Sequence, residues 1–170
     1  SPEGELYFAL LSDWTDAASE SVEGDNALVA VAAAGIARLN LRYGPAAGGD
    51  RFLLLHRRRI WNDGQKRWIG WERKRGKLHE LNRLLRGATD TTFIGVCGSP
   101  PAPPAGVRYV ITLDADTRVP REAARRLVGK MAHPLNHPRF EVGTGRVVEG
   151  YAVLQPRVTP SLPIGREGSL

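Results

Sequence analysis

Apolar and polar positions along this 170-residue chain change period several times, and the changes predict alternating strands and helices. Leu6 to Leu11 is an apolar run that stops at Ser12-Asp13, the pattern of a buried strand opening into a polar loop that carries Asp16. Asp25 or Asn26 is a candidate cap for an Ala- and Leu-rich helix reaching about Tyr43, where Gly44 and Pro45 stop it. Within that helix Ala27 to Ala37 is the longest apolar run, ended by Arg38; it reads as a helix packed in a core and falls well short of the ~20 residues a membrane span needs. A second strand is predicted over Arg51 to His56. Asp63-Gly64, flanked by Trp61 and Trp68, predicts a hairpin that brings tryptophans face to face across the strands. Leu78, Leu81, Leu84 and Leu85 follow Gly76 at helical spacing and predict an amphipathic helix that Gly87 ends.

Further along, Gly98 to Gly106 contains Pro100, Pro101, Pro103 and Pro104 and reads as a connecting loop. Val110-Ile111-Thr112-Leu113 then predicts a buried strand that ends abruptly in Asp114-Ala115-Asp116. A helix is expected from near Pro120, and a last strand from about Arg146 to Val158, interrupted by Gly150 and Pro156. No internal repeat is present. Strands alternating with helices argue for a layered α/β domain with a mostly parallel sheet.

Composition narrows the chemistry. A hydrophobic content of 42% is enough for an ordinary core, and the length is that of one domain. The single Cys97 excludes an internal disulfide and fits a reducing compartment. His133 and His137 sit beside Pro134 and Pro138, which argues against a helical zinc pair. The net charge of +6 suggests polyanionic partners. Its cations cluster at Arg57-Arg58-Arg59 and at Arg73, Lys74, Arg75 and Lys77. Nucleic acid would use such clusters through its phosphates, a nucleotide sugar would need one or two of them at its diphosphate, and a plain solvated face is the default for any basic run.

Asp-Ala-Asp is the sharpest chemical signal. On an extended chain the side chains at i and i+2 point the same way, so Asp114 and Asp116 would offer oxygens to one hard divalent cation, Mg2+ or Mn2+, shared with substrate phosphates. The same tripeptide also suits a solvated strand end with turn-forming aspartates. Lys74-Arg75-Gly76-Lys77, placed ahead of the leucine-periodic helix, would meet an anion at a helix N-terminus. Asn82, further along, suits a sugar, a phosphate or a neighbouring loop. Gly76-Lys77 is followed by Leu78, and the upstream glycine of a P-loop is absent, so kinase-like and ATPase readings fall away.

Taken in order, Leu10-Leu11-Ser12-Asp13-Trp14-Thr15-Asp16-Ala17, then Arg75-Gly76-Lys77-Leu78-His79-Glu80-Leu81-Asn82, then Leu113-Asp114-Ala115-Asp116 resemble the ordered signature of inverting GT-A glycosyltransferases. Trp71 to Asn82 and Glu149 to Arg157 resemble, more narrowly, the glucosyltransferase region of cyclic β-1,2-glucan synthases, and this resemblance covers nearly the whole chain. It implies a GT-A-like nucleotide-sugar-binding α/β/α sandwich, incomplete here, with residues 1–170 forming part of one glycosyltransferase domain. It further implies UDP-glucose as donor, a growing β-1,2-glucan as acceptor, and Mg2+ or Mn2+ as cofactor. The rest of a large synthase, anchored with this region at the cytoplasmic face of a bacterial inner membrane, is the implied partner.

Residue by residue, the resemblance implies a uridine contact from Asp13 or Asp16, Asp114 near ribose or metal, and Asp116 on the cation that bridges the diphosphate. Lys77, with Arg75 as second candidate, would lie near the pyrophosphate, Asn82 on the donor side, and Gln155 with Pro156 and Arg157 on the acceptor side. Two expected parts have no match: a first strand before Leu6 and a later acidic motif carrying the general base. Glu149 and Glu167 are the acids of the final segment, and Glu149 reads as structural. Because the chain opens at Ser1 and stops at Leu170 in mid-phrase, it is expected to be a piece of a longer protein that holds much of a donor site without completing transfer. Trp14, Trp61, Trp68 and Trp71 could stack on uracil or sugar but are read first as packing, and Arg118 as a surface ion pair before a phosphate ligand. The rivals are another processive transferase, a basic nucleic-acid module lacking any aromatic RNA-binding or DNA-reading motif, and a scaffold with an empty cleft.

Overall fold

A computed structural model of the chain describes residues 6–95, 101–120 and 122–157. Its contacts divide the chain into two units, Ser1–Val107 and Arg108–Leu170.

The first unit is built on a βαβ arrangement. Strand β1 (Phe8–Asp13) leads into helix α1 (Asp25–Tyr43) and strand β2 (Phe52–Arg57). β2 pairs in parallel with β1, and Asp13 lies opposite Arg57 at the shared C-terminal end. Hairpin strands β3 (Ile60–Asn62) and β4 (Arg67–Ile69) follow, then helix α2 (Arg73–Leu85) and strand β5 (Phe93–Ile94). β5 adds antiparallel to the other side of β2, giving the order β1-β2-β5.

Side-chain alternation along β2 separates its two faces. Leu55 packs with Leu81 and Leu84 of α2 and with Phe93 in one buried hydrophobic cluster, and Ile69 of β4 is buried as well. Phe52, on the opposite face, meets Tyr43 and is held by Asn40, whose amide oxygen accepts from Phe52 N–H at 2.8 Å while its Nδ2 donates to the Phe52 carbonyl at 2.9 Å. The helix run Ala27 to Ala37 is therefore not core, contrary to its apolar look: Leu28 and Val31 are exposed. A surface made largely of alanine offers little area to bury, and Asn40 docks the helix instead. Gly24, in a left-handed conformation at φ 92°, takes the cap position, so Asp25 falls inside the first turn.

The predicted hairpin forms with Trp61 opposite Trp68, ring centroids 6.0 Å apart. Helix α2 begins at Arg73, so Gly76 lies within it rather than ahead of it. A Cβ at Gly76 would collide with the Trp71 carbonyl oxygen and stand 2.6 Å from the Trp71 indole, which is why the helix can start so close beneath that ring.

The second unit contains helix α3 (Ala123–Ala132), a 3-10 turn at Pro134–Asn136, and the antiparallel pair β6 (Arg139–Phe140) and β7 (Val147–Glu149). The long strand expected from Arg146 is thus cut to Val147–Glu149. Gly150 (φ 72°) turns the chain there, so tightly that a Cβ would strike the His137 carbonyl. Val110 to Leu113 form no strand: Val110, Ile111 and Leu113 are exposed, and no described strand pairs with them. A local apolar run cannot supply the ladder partner that a strand's backbone needs. Nor is the sheet mostly parallel, since of the strand pairs described only β1 with β2 runs parallel. The fold is mixed α/β with small sheets. Cys97, the start of the proline loop, Val158 and Glu167 lie outside the described residues.

Candidate functional site

The site grows from the C-terminal end of the parallel pair, where sheets of this kind place their ligands. Arg57, the last residue of β2, is 0% exposed. Its Nε donates to Asp13 Oδ1 at 2.6 Å, Nη1 to the Trp71 carbonyl at 3.1 Å and Glu80 Oε1 at 3.3 Å, and Nη2 to the Arg73 carbonyl at 3.0 Å. One guanidinium therefore joins the end of β1 to the first turn of α2. Glu80 carries the connection on, its Oε2 accepting from Thr92 N–H at 2.8 Å and Thr92 Oγ1 at 2.7 Å. Gly70 allows the close approach, since a Cβ there would lie 3.0 Å from the Asp13 carboxyl carbon and 3.1 Å from Arg57 Nη2.

Lys77 completes the cluster, its Nζ 2.8 Å from Asp13 Oδ2 with both side chains 18% exposed. Burial alone would raise the Asp13 pKa, but hydrogen bonds and charge from Arg57 and Lys77 outweigh it and hold the carboxyl below its ordinary value. Two cations and two carboxylates, Arg57, Lys77, Asp13 and Glu80, thus form a charge-balanced group with Lys77 at its accessible rim.

A second buried arginine stabilises the loop after β1. Arg59 donates through Nε to the Thr15 carbonyl at 2.7 Å, through Nη1 to the Glu20 carbonyl at 3.0 Å, and to both Asp25 oxygens at 2.5 and 3.1 Å. Its guanidinium lies 5.4 Å from the Trp14 ring centroid, and Trp14 meets the His56 ring edge-on at 4.1 Å. His56 Nδ1 is 2.8 Å from Ser12 Oγ, whereas its buried Nε2 has no partner among the described residues. Burial pushes the His56 pKa down, against the raising effect of Asp13 and Asp25.

The sequence-predicted residues are distributed as follows. Asp13 and Lys77 are brought together. Asp16 lies close in chain and pairs with Arg73 at 2.7 Å, while Arg75 pairs with Glu72 at 2.7 Å on the exposed side of the helix. Asn82 is exposed on α2. Asp114 and Asp116 belong to the second unit, where they sit exposed in a turn closed by a 3.0 Å bond from Thr117 N–H to the Asp114 carbonyl. The same-side geometry of a strand therefore does not apply to them. Gln155 is exposed in irregular chain of that unit, and Glu149 pairs with Arg139 at 2.7 Å across β6 and β7. Among the described residues no group of three or more His, Cys, Asp or Glu stands ready for a metal.

Arg57 and Arg59 were the residues hardest to read from sequence. A triple-arginine run looks like a solvated face, yet only Arg58 is exposed. The available signal was their i, i+2 spacing at a strand end, which turns both to one side, with Asp13, Asp25 and Glu80 elsewhere in the chain as partners. Arg57, Arg59, Arg73, Arg75 and Lys77 each meet a carboxylate of the chain, so these members of the two basic clusters are engaged within the fold.

Among known proteins, the class this chain resembles is the glucan synthases, as the segments Trp71 to Asn82 and Glu149 to Arg157 implied. The relative found is the cyclic β-(1,2)-glucan synthase NdvB of Rhizobium meliloti (strain 1021), 54% identical over 168 residues. The match takes in 99% of this chain and 6% of that protein, so the chain corresponds to a short segment of its relative. No protein-family profile matches the chain. The resemblance to cyclic β-1,2-glucan synthases is thereby shown. Among the described residues no helix is long and apolar enough to cross a membrane.

Proposed function

We propose that the chain is a donor-binding segment of a glucosyltransferase that extends a β-1,2-glucan from UDP-glucose, within a larger synthase held at the cytoplasmic face of the inner membrane. The observation that carries this reading is the Asp13–Lys77 pair at the ends of the parallel strands, in a sequence 54% identical to a cyclic β-(1,2)-glucan synthase. Lys77 is the cation positioned to move from a carboxylate to a phosphate. A diphosphate entering at the strand ends competes with Asp13 for its ammonium, and Asp13, still held by Arg57, remains as an acceptor for the nucleoside. Asp16, paired with Arg73, and Arg75, paired with Glu72, are further donor-side candidates, and Asn82 lies further along the same helix.

Departure of UDP from C1 of glucose builds negative charge on the leaving phosphate, which Lys77 stabilises most where water is excluded. Asp114 and Asp116 supply two carboxylates, a donor set that suits Mg2+ or Mn2+ shared with substrate phosphates. The bound ion would add further neutralisation of the diphosphate. The acceptor hydroxyl, the 2-OH of the growing chain, attacks from the face opposite the departing phosphate, with Gln155 assigned to the acceptor side.

Calorimetric titration of UDP and UDP-glucose, with and without manganese, tests the reading. Manganese-dependent binding is expected, lost in Asp116→Ala and weakened about tenfold in Lys77→Ala, the size of one charge-assisted contact. A folded chain that ignores UDP but binds DNA with steep salt dependence would overturn it in favour of a nucleic-acid module.

A further inference from the structure

On another side of α2 lies a groove of about 270 Å3, lined by Ile60, Trp71, His79, Glu80 and Arg83. At 3.6 residues per turn, His79 is about 200° and Arg83 about 240° round the helix from Lys77, so these two face away from the ammonium, while Glu80 is shared with the Arg57 cluster. Its aromatic wall is held before any ligand arrives. The Trp71 carbonyl accepts from Arg57, its indole packs over Gly76, and His79 meets the ring at 5.8 Å, yet the tryptophan is still 38% exposed. The charges of the groove are already balanced. Both Glu80 oxygens are bonded, and Arg83 Nη2 holds Asp90 at 2.6 and 2.7 Å.

A rigid aromatic face beside compensated polar groups suits a neutral ring carrying hydroxyls: C–H bonds lie on the indole, and hydroxyls exchange hydrogen bonds with the Arg83–Asp90 pair. We infer that this groove is a glucan-binding subsite, in which one glucosyl unit of the β-1,2-glucan stacks on Trp71. This rests on the glucan-synthase reading above, and it assigns the polymer a second foothold away from the donor position.

The test is titration of the chain with linear β-1,2-linked glucooligosaccharides, followed by tryptophan fluorescence and saturation-transfer NMR, alongside UDP on the same samples. Saturable glucan binding is expected, weakened about tenfold by Trp71→Ala, as loss of an aromatic platform should do, and by less than twofold by Trp61→Ala on the hairpin. Trp71→Phe, which keeps a ring, should restore most of it, and Arg83→Gln should weaken it about threefold, so the result does not depend on one variant folding. No glucan binding by folded protein that still binds UDP would overturn the subsite and leave the donor reading intact. Binding of glucan without UDP would support the subsite and count against the donor position, and absence of both would overturn the two together. If Trp71→Ala instead abolished UDP binding, the groove would be a nucleobase platform and the inference would fail.

Discussion

The two units of the chain use their charged residues in opposite ways. In the first, Arg57 and Arg59 are the largest fully buried side chains, and each joins segments remote in sequence. In the second, no described residue between 108 and 157 is buried, and the ion pairs Arg139–Glu149 and Arg125–Glu122 lie on the surface. The Asp13–Lys77 pair is therefore fixed by its own unit, through Arg57 on one carboxylate oxygen and Lys77 on the other. Asp114 and Asp116 are exposed in a turn that the Asp114 carbonyl and Thr117 N–H close. Preorganisation of a polar group depends on what is packed around it, and the two units differ in that respect.

The largest expected effect breaks the ordered half. Arg57→Ala leaves Asp13 and Glu80 in a poorly hydrated place without their shared cation and should destabilise the fold by about 3–5 kcal/mol, measured by urea unfolding. Arg57→Lys should recover only part of this, because a single ammonium cannot bond Asp13, Glu80 and the Trp71 and Arg73 carbonyls together. Next in size is Gly76→Ala. Ordinarily a helix gains from this change, but the added methyl would meet the Trp71 carbonyl and indole, so a loss of about 1–3 kcal/mol is expected. A gain in melting temperature would show that α2 shifts freely from under Trp71.

Acid should weaken the first unit in stages. His56 has a folded pKa below its ordinary 6.5, so the unfolded chain binds more protons and stability declines as pH falls from that value toward the folded one. Asp13, lowered from its ordinary 3.8, contributes stability that is present above that value and lost as pH falls through the folded one. Unfolding followed by Trp14 fluorescence should therefore show two acid steps. His56→Gln should weaken the first and Asp13→Asn the second, to which Asp25 and Asp90, lowered by Arg59 and Arg83, also contribute.

Periodicity made much of the first unit legible. The first helix, the second strand and the leucine-periodic α2 lie close to where their apolar spacing put them, and the facing tryptophans follow from Asp63-Gly64. Asp13, at the end of an apolar run, and Lys77, in a basic run at the leucine-periodic helix, were picked out through the family resemblance. Arg57 was not, since its meaning lies in Asp13, 44 residues back, and Glu80, 23 residues on. Val110 to Leu113 failed for the same reason in reverse. Four apolar residues specify a strand only when another strand accepts their hydrogen bonds, and the run itself contains no information about a partner. The helix expected near Pro120 starts at Ala123, with the Pro120 carbonyl accepting the Ala123 N–H at 3.1 Å.

The smallest expected effect on stability is the sharpest test of the contrast. Asp116 is exposed in a turn whose closing bond uses the Asp114 carbonyl and Thr117 N–H, so Asp116→Ala removes no backbone contact and should change unfolding free energy by less than about 0.5 kcal/mol. Lys77→Ala, by comparison, removes a partner of the buried-side Asp13 and should cost about 1–3 kcal/mol. If both residues serve one donor, the two variants lose UDP affinity together while differing in stability. A large loss of stability in Asp116→Ala would mean that the turn is packed against other parts of the protein in solution, and its carboxylates would then be preorganised as Asp13 is. Equal stability with undiminished, manganese-independent UDP binding would remove Asp116 from the site and leave Asp13 and Lys77 as its whole extent in this chain.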